Sequence, residues 1–548
     1  MASNAESLLS RYGSAFEGQY NIRQLWQECG NYVMPRKSSI TEKKTIGSED
    51  WSDQIYDDEA INGNQVLASG QLDALFSGRW FAADSPIEGV PESVSNWYKK
   101  GGEIVLKLAQ GSNFPLEIHE FLLDRGGFGT SHLQIDADDE MTFFFSNDDV
   151  GEYVVEENDK GFADGYFGKR KYTTAQAVNK WGLDKMVPLV RKKWDEANGK
   201  GLNQEFTFIH YIGPRALADQ TFGKLDGENM PIASVVVCEE DKHLVHEGGY
   251  NEQPFVISRY LKWGRSPYGY CPSMLALPII RQINGIERLM DALAELQAFP
   301  RMLIPASLEG VVGFGPSGVT IFNPNNPNAL PREWATSGRY DIGKDRAEDI
   351  RRRIRRAYHV ELFQMLTGLE EMKREKTATE IRAMLAEKIS HFSPTFERLR
   401  VEVLGPLLKR LFSVAFRAGK LPPIPEEMVP LLEQEGELPF PSFVYTSKLA
   451  LAIQAHQNLS FMEFTQTAGV LFELYPETKD NINPDRTFKM LADNLGLPVD
   501  IFNTEDEKEE IRTARAEADQ MEAQLAAGES MSTTAKNMEA APSFNRMN

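Results

Sequence analysis

The sequence predicts an α+β chain, mainly helical and divided into several domains. Three observations carry this. The 548 residues exceed what a single hydrophobic core serves, so two to four domains are expected. Apolar residues recur at steps of three and four near the start of the chain and again through its centre, the period of one helix face. Between those stretches, short runs rich in Thr, Phe, Ile and Val alternate with Asp, Asn and Gly, the character of strands and turns. With 41% hydrophobic and 25% charged residues, the composition is that of a folded chain.

Residues 1 to about 85 are expected to be helical. Leu8, Leu9, Tyr12, Phe16 and Tyr20 fall at helical spacing, as do Ile61, Val66, Leu72 and Leu75 between Asp57 and Phe76. A polar loop near Ser38 to Asp53 separates the two sets. Trp97 to Ala109 and Phe114 to Leu123 predict further helices, the second with Pro115 in its first turn, where a missing N–H is harmless. Arg125-Gly126-Gly127-Phe128-Gly129-Thr130 then predicts a glycine turn at a helix C-terminus in preference to a phosphate cradle. Strands are expected within His132 to Val155 and at Phe206 to Ile212, Ile232 to Val237 and Phe255 to Tyr260. A small helix is expected from Lys171 to Asp184, opened by Thr173-Thr174.

The centre differs. From Pro272 to Phe299, Ile279, Ile283, Ile286, Met290 and Leu293 define a stripe along one helix. Gly310, Gly313, Gly315, Gly318 and several prolines bracket short apolar runs such as Val319 to Phe322, predicting a small β-rich insertion. An arginine-rich helix follows, from about Gly343 to Gln364. Thr377-Ala378-Thr379-Glu380 has capping-box spacing and opens the longest helix, through Ile381, Leu385, Ile389, Phe392, Phe396, Leu399, Val403, Leu407, Leu411 and Val414. Pro394 and Pro406 are expected to kink or divide it. At about 1.5 Å per residue, forty residues would reach roughly 60 Å. Gly419 and Pro422-Pro423 end the run. Residues 421–442 form a Pro/Glu-rich connector, 447–500 are helical again, and Thr504 to Ala527 is one exposed Ala/Glu-rich helix. Met531 to Asn548, small, polar and without period, is expected to be mobile.

The net charge of -21 and pI near 5.0 argue against a general nucleic-acid binder, which carries a basic face. They are compatible with a protein that surrounds DNA without gripping it. Cys29, Cys238 and Cys271 are widely spaced and odd in number, so no disulfide framework is expected and a reducing cytosol suits assembly. The start of the chain lacks the basic and apolar regions of a signal peptide. No run of about 18 apolar residues predicts a membrane span.

No catalytic residue, metal site or cofactor is expected. G-x-x-x-x-G-K-[ST] does not occur: Gly168-Lys169, Gly223-Lys224, Gly343-Lys344 and Gly419-Lys420 are followed by Arg, Leu, Asp and Leu, none of which supplies the hydroxyl that holds magnesium. No serine sits in a G-x-S-x-G elbow. Cys238, His243 and His246 form a compact soft-ligand cluster. It lacks paired zinc spacing, although Glu239, Glu240 or Glu247 could help, and a surface hairpin accounts for it better. Asp138-Asp139 and Asp148-Asp149 have the character of turns, without the oxygen spacing of a calcium loop.

The most unusual charge feature is Arg351-Arg352-Arg353-Ile354-Arg355-Arg356, with Lys344 and Arg346 upstream. A helix turns about 100° per residue, so these side chains cannot all face one partner. Some are expected to pair with Asp345, Glu348, Asp349 or a neighbouring subunit, and some to meet phosphate. Glu370-Glu371-Met372-Lys373-Arg374-Glu375-Lys376 is a second run, at its simplest a solvated connection between helices.

Taken together, several segments resemble the head-to-tail connecting (portal) proteins of short-tailed phages. They are Val66 to Phe81 (VLASGQLDALFSGRWF), Ile118 to Thr130 (IHEFLLDRGGFGT), Phe255 to Tyr270 (FVISRYLKWGRSPYGY) with Pro272 to Pro278 (PSMLALP), and Lys376 to Arg382 (KTATEIR). Their order and spacing, over roughly residues 5 to 520, carry the likeness more than any one of them. Asp124-Arg125 departs from the more apolar approach expected before the glycines.

The resemblance implies a portal fold of wing, stem, clip and crown, assembling as a dodecameric ring at one capsid vertex. On that plan 1–270 is the wing, 271–299 the first stem helix, 300–341 the clip insertion and 342–363 the second stem helix. Residues 364–376 are the channel loop, 377–446 the long kinked helix and wing return, and 447–548 the crown with its tail. Lys344, Arg351, Arg352, Arg355, Lys373, Arg374 and Lys376 become candidates for the DNA channel. The implied partners are double-stranded DNA, the terminase large subunit, tail adaptors, and the major capsid and scaffolding proteins, with no membrane. The location is the virion, after assembly in the host cytoplasm. A tail adaptor, another virion protein or a DNA-processing enzyme is the alternative.

Overall fold

The computed structural model describes residues 2–44, 55–87, 90–196, 201–215, 227, 229–299, 301–303, 332–333, 340–367, 392–429, 439–447, 507–508, 510–518 and 520–521. The chain divides into Met1–Leu474 and Tyr475–Asn548.

In the first unit, α1 (Ala2–Gly18) and α2 (Tyr20–Val33) are joined by Gln19, which is buried and donates to the Tyr153 carbonyl at 2.9 Å. α3 (Glu59–Phe76), strand β1 (Phe81–Asp84), α4 (Glu92–Gln110) and α5 (Phe114–Phe128) follow. The helices are those the apolar spacing predicts, but α5 overruns its expected end. Gly126 and Gly127 lie inside it, and the left-handed cap is Gly129, at φ 82°, a conformation suited to glycine. The inner glycines make room. A Cβ on Gly126 would fall 2.2 Å from Asn64 Oδ1, and one on Gly127 2.3 Å from Met34 Sδ.

Asp124 and Arg125 are each only 1% exposed, so the unexpected polar approach is a buried one. Lys37 donates to Asp124 at 2.8 Å. Arg125 donates to Ser258 Oγ at 2.9 Å, Gln71 Oε1 at 3.4 Å and the Thr395 carbonyl at 3.2 Å, with the Tyr260 ring beneath it. Burial pushes its pKa down to about 10. It thereby joins α3, the sheet and the long helix.

β2 (Thr130–Asp138) and β3 (Thr142–Ser146) form a hairpin. β4 (Tyr153–Glu157) and β5 (Ala163–Thr173) begin a second, five-stranded sheet. After α6 (Thr174–Trp181) and α7 (Pro188–Trp194) it continues with β6 (Glu205–Pro214), β7 (Ile232–Cys238) and β8 (His243–Tyr250), antiparallel and in chain order. β9 (Phe255–Arg259) returns to lie beside β2. Alternation along β7 shows how the larger sheet is covered. Ala233, Val235 and Val237 cluster with Ala5 and Tyr12 of α1, whereas Val236 and Cys238 cluster with Ala177, Val178 and Val190 of α6 and α7. Thr173 caps α6 as its sequence suggested, accepting from Gln176 N at 3.3 Å. Asp138 holds its turn through Oδ2, but Asp148, expected at a turn, points inward to Tyr166 and Arg170.

The short ribbon β10 (Leu261–Lys262) and β11 (Gly269–Tyr270) leads into α8 (Pro272–Ala298). The ends of the following insertion pair as β12 (Met302–Leu303) and β13 (Arg332–Glu333). Residues 304–331 lie outside the described residues. The expected arginine-rich helix from Gly343 to Gln364 is two helices, α9 (Tyr340–Ala357) and α10 (Val360–Thr367). His359, at φ 53°, breaks it. The break lets two aromatics dock on α3: Tyr358 against Gly63 and Phe363 against Gly70. A Cβ on Gly70 would lie 2.3 Å from the Phe363 ring. Gly70→Ala is therefore expected to destabilise the unit by about 1–3 kcal/mol through overpacking, measurable as an earlier urea midpoint with an unchanged circular dichroism spectrum.

The long helix is described from 392. Arg400–Leu404 is a π turn, after which α11 (Gly405–Arg417) resumes. This is the form that the expected disturbance at Pro406 takes. Proline has no N–H to offer the preceding turn, and the ladder widens so that Gly405 N bonds to the Arg400 carbonyl. β14 (Ser442–Tyr445) then crosses back to pair with β1. The Thr377–Glu380 box, Lys373, Arg374, Lys376 and the expected helices of 447–500 lie outside the described residues. In the second unit, the described parts of 507–521 are helical and almost wholly exposed, as the Ala/Glu-rich pattern suggested.

Candidate functional site

α8 and α9 lie in contact, and their sequence patterns show why. On α8, Ile283 and Met290 of the predicted stripe are buried and Ile279 and Ile286 pack partly against the core. On α9, Ala347, Ile350 and Ile354 are buried. Gly343 permits close approach: a Cβ there would fall 3.0 Å from Met290 Sδ.

A second stripe on α8 was not anticipated. Leu275, Gln282, Leu289 and Leu296 recur every seven residues, with Pro278, Gly285, Ala292 and Phe299 between them. Steps of three and four keep them on one side of a helix. Leu275 is 61% exposed, Leu289 70% and Phe299 80%. The helix therefore has one face sealed into the core, while its other side leaves Leu275 and Leu289 exposed around the polar Gln282, with Phe299 exposed just past its end.

The arginines of α9 divide into two groups. Arg351 Nε donates to Asp57 Oδ2 at 2.8 Å and its Nη2 to Glu287 Oε1 at 2.6 Å. Burial works against that charge, but the hydrogen bond and field of Asp57 outweigh it and raise the Arg351 pKa. Arg355 makes two bonds to the Glu59 carboxylate, at 2.9 and 3.0 Å, and these likewise raise its pKa. Asn284 of α8 completes the join, accepting from Tyr56 N at 2.7 Å and Asp57 N at 3.1 Å. Arg351 and Arg355 thus fasten the central helices to the start of α3.

Arg352 pairs with Asp349 one turn earlier, and Glu348 lies 3.5 Å from Arg355, as charge spacing on the helix suggested. Asp57, Glu59 and Glu287 are distant partners that spacing could not supply. Lys344, Arg346, Arg353 and Arg356 are exposed. Arg346 and Arg353, seven apart, share a flank of the helix.

The soft-ligand cluster is a hairpin. Cys238 faces His243 across β7 and β8, and His246 faces Val236. Cys238 Sγ donates to Glu240 at 3.3 Å. Among the described residues, no three His, Cys, Asp or Glu side chains converge as a metal site would require, and no helix is long and apolar enough to cross a membrane.

α8 and α9 thus pair through a sealed inner face, and the ends of the insertion between them are joined by a two-residue ladder. The model of the bacteriophage head to tail connecting protein family matches residues 5–502, and the chain belongs to that family. A probable portal protein of Bordetella phage BPP-1 is 28% identical over 529 residues, covering 95% of this chain and 92% of that protein. The portal protein of Salmonella phage epsilon15 is 24% identical over 550 residues, covering 97% of this chain and 95% of its own length.

Proposed function

We propose that this chain is a portal subunit, one copy in a ring at a capsid vertex through which double-stranded DNA enters and leaves the virion. Family membership supports the connector role, and the uncovered stripe of α8 is the observation that carries ring assembly. Exposed Leu275 and Leu289 on α8, with Phe299 just past its end, favour a cover, and a closed ring supplies one by placing them against a different surface of the next copy. On this reading α8 and α9 are the stem and the stapled insertion 300–341 is the clip. Residues 1–270 with 377–446 make the wing, and 447–548 the crown. The ring has twelve copies and meets terminase, tail adaptors, capsid and scaffolding protein.

Charge follows geometry. Duplex DNA carries about one negative charge per 1.7 Å, so a strongly basic channel would stall it. A net acidic wall with sparse basic bands lets it slide while centring it. Lys373, Arg374 and Lys376 form one such band, and Lys344 and Arg352 contribute another. Arg351 and Arg355 are assigned instead to fastening the helices, because carboxylates of other elements hold them, whereas Arg352 is exposed and, among the described residues, pairs only with Asp349 of its own helix.

Negative-stain images of the purified chain are expected to show rings with a central opening wide enough for a duplex. A compact particle without an opening, at high concentration, would overturn the proposal. The triple variant Lys373→Ala/Arg374→Ala/Lys376→Ala is expected to form normal rings but to change the length or retention of packaged DNA. Normal packaging in that variant would remove the channel assignment alone.

A further inference from the structure

A cleft of about 640 Å³ opens beside the five-stranded sheet, between the end of α6 and α11. In a chain of net charge -21, its lining is unusual for its cations: Arg170, Lys180, Lys185, Arg410 and Arg417. Asp136 also faces it. Two further carboxylates engage the arginines from its edges. Asp148 takes Arg170 at 2.6 Å, and Glu252 takes Arg410 at 2.5 Å together with Arg417. Five cations against these three acids leave a local excess of two positive charges.

The excess belongs to the lysines. Neither Lys180 nor Lys185 meets a carboxylate among the described residues. Lys180 is nonetheless held in place: its Nζ donates to Tyr172 Oη at 3.1 Å and lies 5.0 and 5.3 Å from the Tyr172 and Trp181 ring centroids. A cation ordered in advance loses less freedom when a ligand arrives. His210, against Ser234 on the floor at 2.9 Å, has its pKa pushed down to about 3, first by burial and then by the fields of Arg170 and Lys180. Burial, more than the neighbouring cations, thus keeps His210 neutral on the floor of the cleft. Trp181, Phe208 and Val236 add an apolar surface.

We propose that this cleft binds an acidic peptide segment of a partner protein, with its carboxylates on Lys180 and Lys185 and an apolar side chain against Trp181 and Phe208. Charge complementarity requires an anion, and three observations favour a peptide over nucleic acid. The guanidinium forks that suit phosphate are already engaged by Asp148 and Glu252. Two lysines do not make the charged track of a single-strand site, which spans about 4–16 nucleotides. The volume falls within the range of about 300–1,000 Å³ typical of pockets for compact ligands, which excludes a duplex.

The test uses the full-length protein as purified, with a fluorescein-labelled Glu-Glu-Phe-Glu-Glu-Leu peptide followed by anisotropy at low salt, beside a labelled oligothymidylate of equal charge. The peptide is expected to bind more tightly than the oligonucleotide. Lys180→Ala/Lys185→Ala should weaken peptide binding about tenfold, the combined effect of two partly exposed ion pairs, and Lys180→Arg/Lys185→Arg should restore most of it. Circular dichroism of both variants checks the fold. Tighter binding of the oligonucleotide, wild-type peptide affinity in the alanine variant, or no peptide binding up to about 1 mM would each overturn the proposal. Ring assembly is read separately and does not bear on it.

Discussion

Arg259→Met is expected to destabilise the first unit by about 3–5 kcal/mol, the usual effect of breaking a buried ion pair from one side. Arg259 ends β9 and its side chain is 3% exposed. Its Nε and Nη2 donate to Glu402 Oε1 at 3.0 and 2.7 Å, its own backbone N donates to Glu402 Oε2 at 2.8 Å, and Nη1 reaches Glu157. Glu402, 7% exposed, lies within the π turn. Methionine keeps most of the volume but leaves two carboxylates without the cation they share, although Arg398 still lies 3.1 Å from Glu402. Urea unfolding is the measurement. Adding Glu402→Leu should recover only part of the loss, because it removes one buried carboxylate but leaves Glu157 without its cation and the backbone N–H at position 259 without its acceptor. A loss below about 1 kcal/mol would mean that water screens the pair as it does a surface one, and the π turn would then owe its position to packing alone.

That pair also shows why some of this fold could be foreseen and some could not. Periodicity is local, so α3, α4, α8 and α9 follow from residues three and four apart. Pro406 announced a disturbance in the long helix, but only the structure shows that the disturbance is a π turn aiming Glu402 at β9. Gly126 and Gly127 resemble a helix stop, because glycine in sequence signals either a turn or room for a neighbour, and Asn64 and Met34 are remote. β5 was missed because glycines and charges interrupt its alternation; Gly165 is there to admit Glu156. The pairing of β1 with β14 joins opposite ends of the unit, and no local pattern encodes it.

The candidate site divides in the same way. The arginine cluster is plain in the sequence, but its allocation is not, since Asp57, Glu59 and Glu287 come from other elements. The outer stripe of α8 was legible as a heptad row and was masked by the stronger inner stripe on the same helix. The cationic cleft has no linear signature at all: its charges come from β5, α6, a short turn and α11.

Leu289→Asp is expected to abolish ring assembly while leaving the subunit folded. Leu289 is 70% exposed in the single chain, so the substitution removes little from the core, and its neighbour Met290 continues to face inward. At an interface the balance reverses. Burying a leucine side chain contributes about 1.5–3 kcal/mol, and an aspartate there adds an unpaired charge to be desolvated. The lost apolar term alone weakens each contact about 10- to 150-fold. A closed ring repeats that loss at every contact, so assembly should fail sharply rather than by degrees. Sedimentation velocity should show the wild-type chain as a single large species and Leu289→Asp as monomer with the same circular dichroism spectrum. Leu289→Met, which keeps the apolar contact, should still assemble. Rings of normal mass from Leu289→Asp would show that this face of α8 is not between copies, and the uncovered stripe would then require a different partner chain.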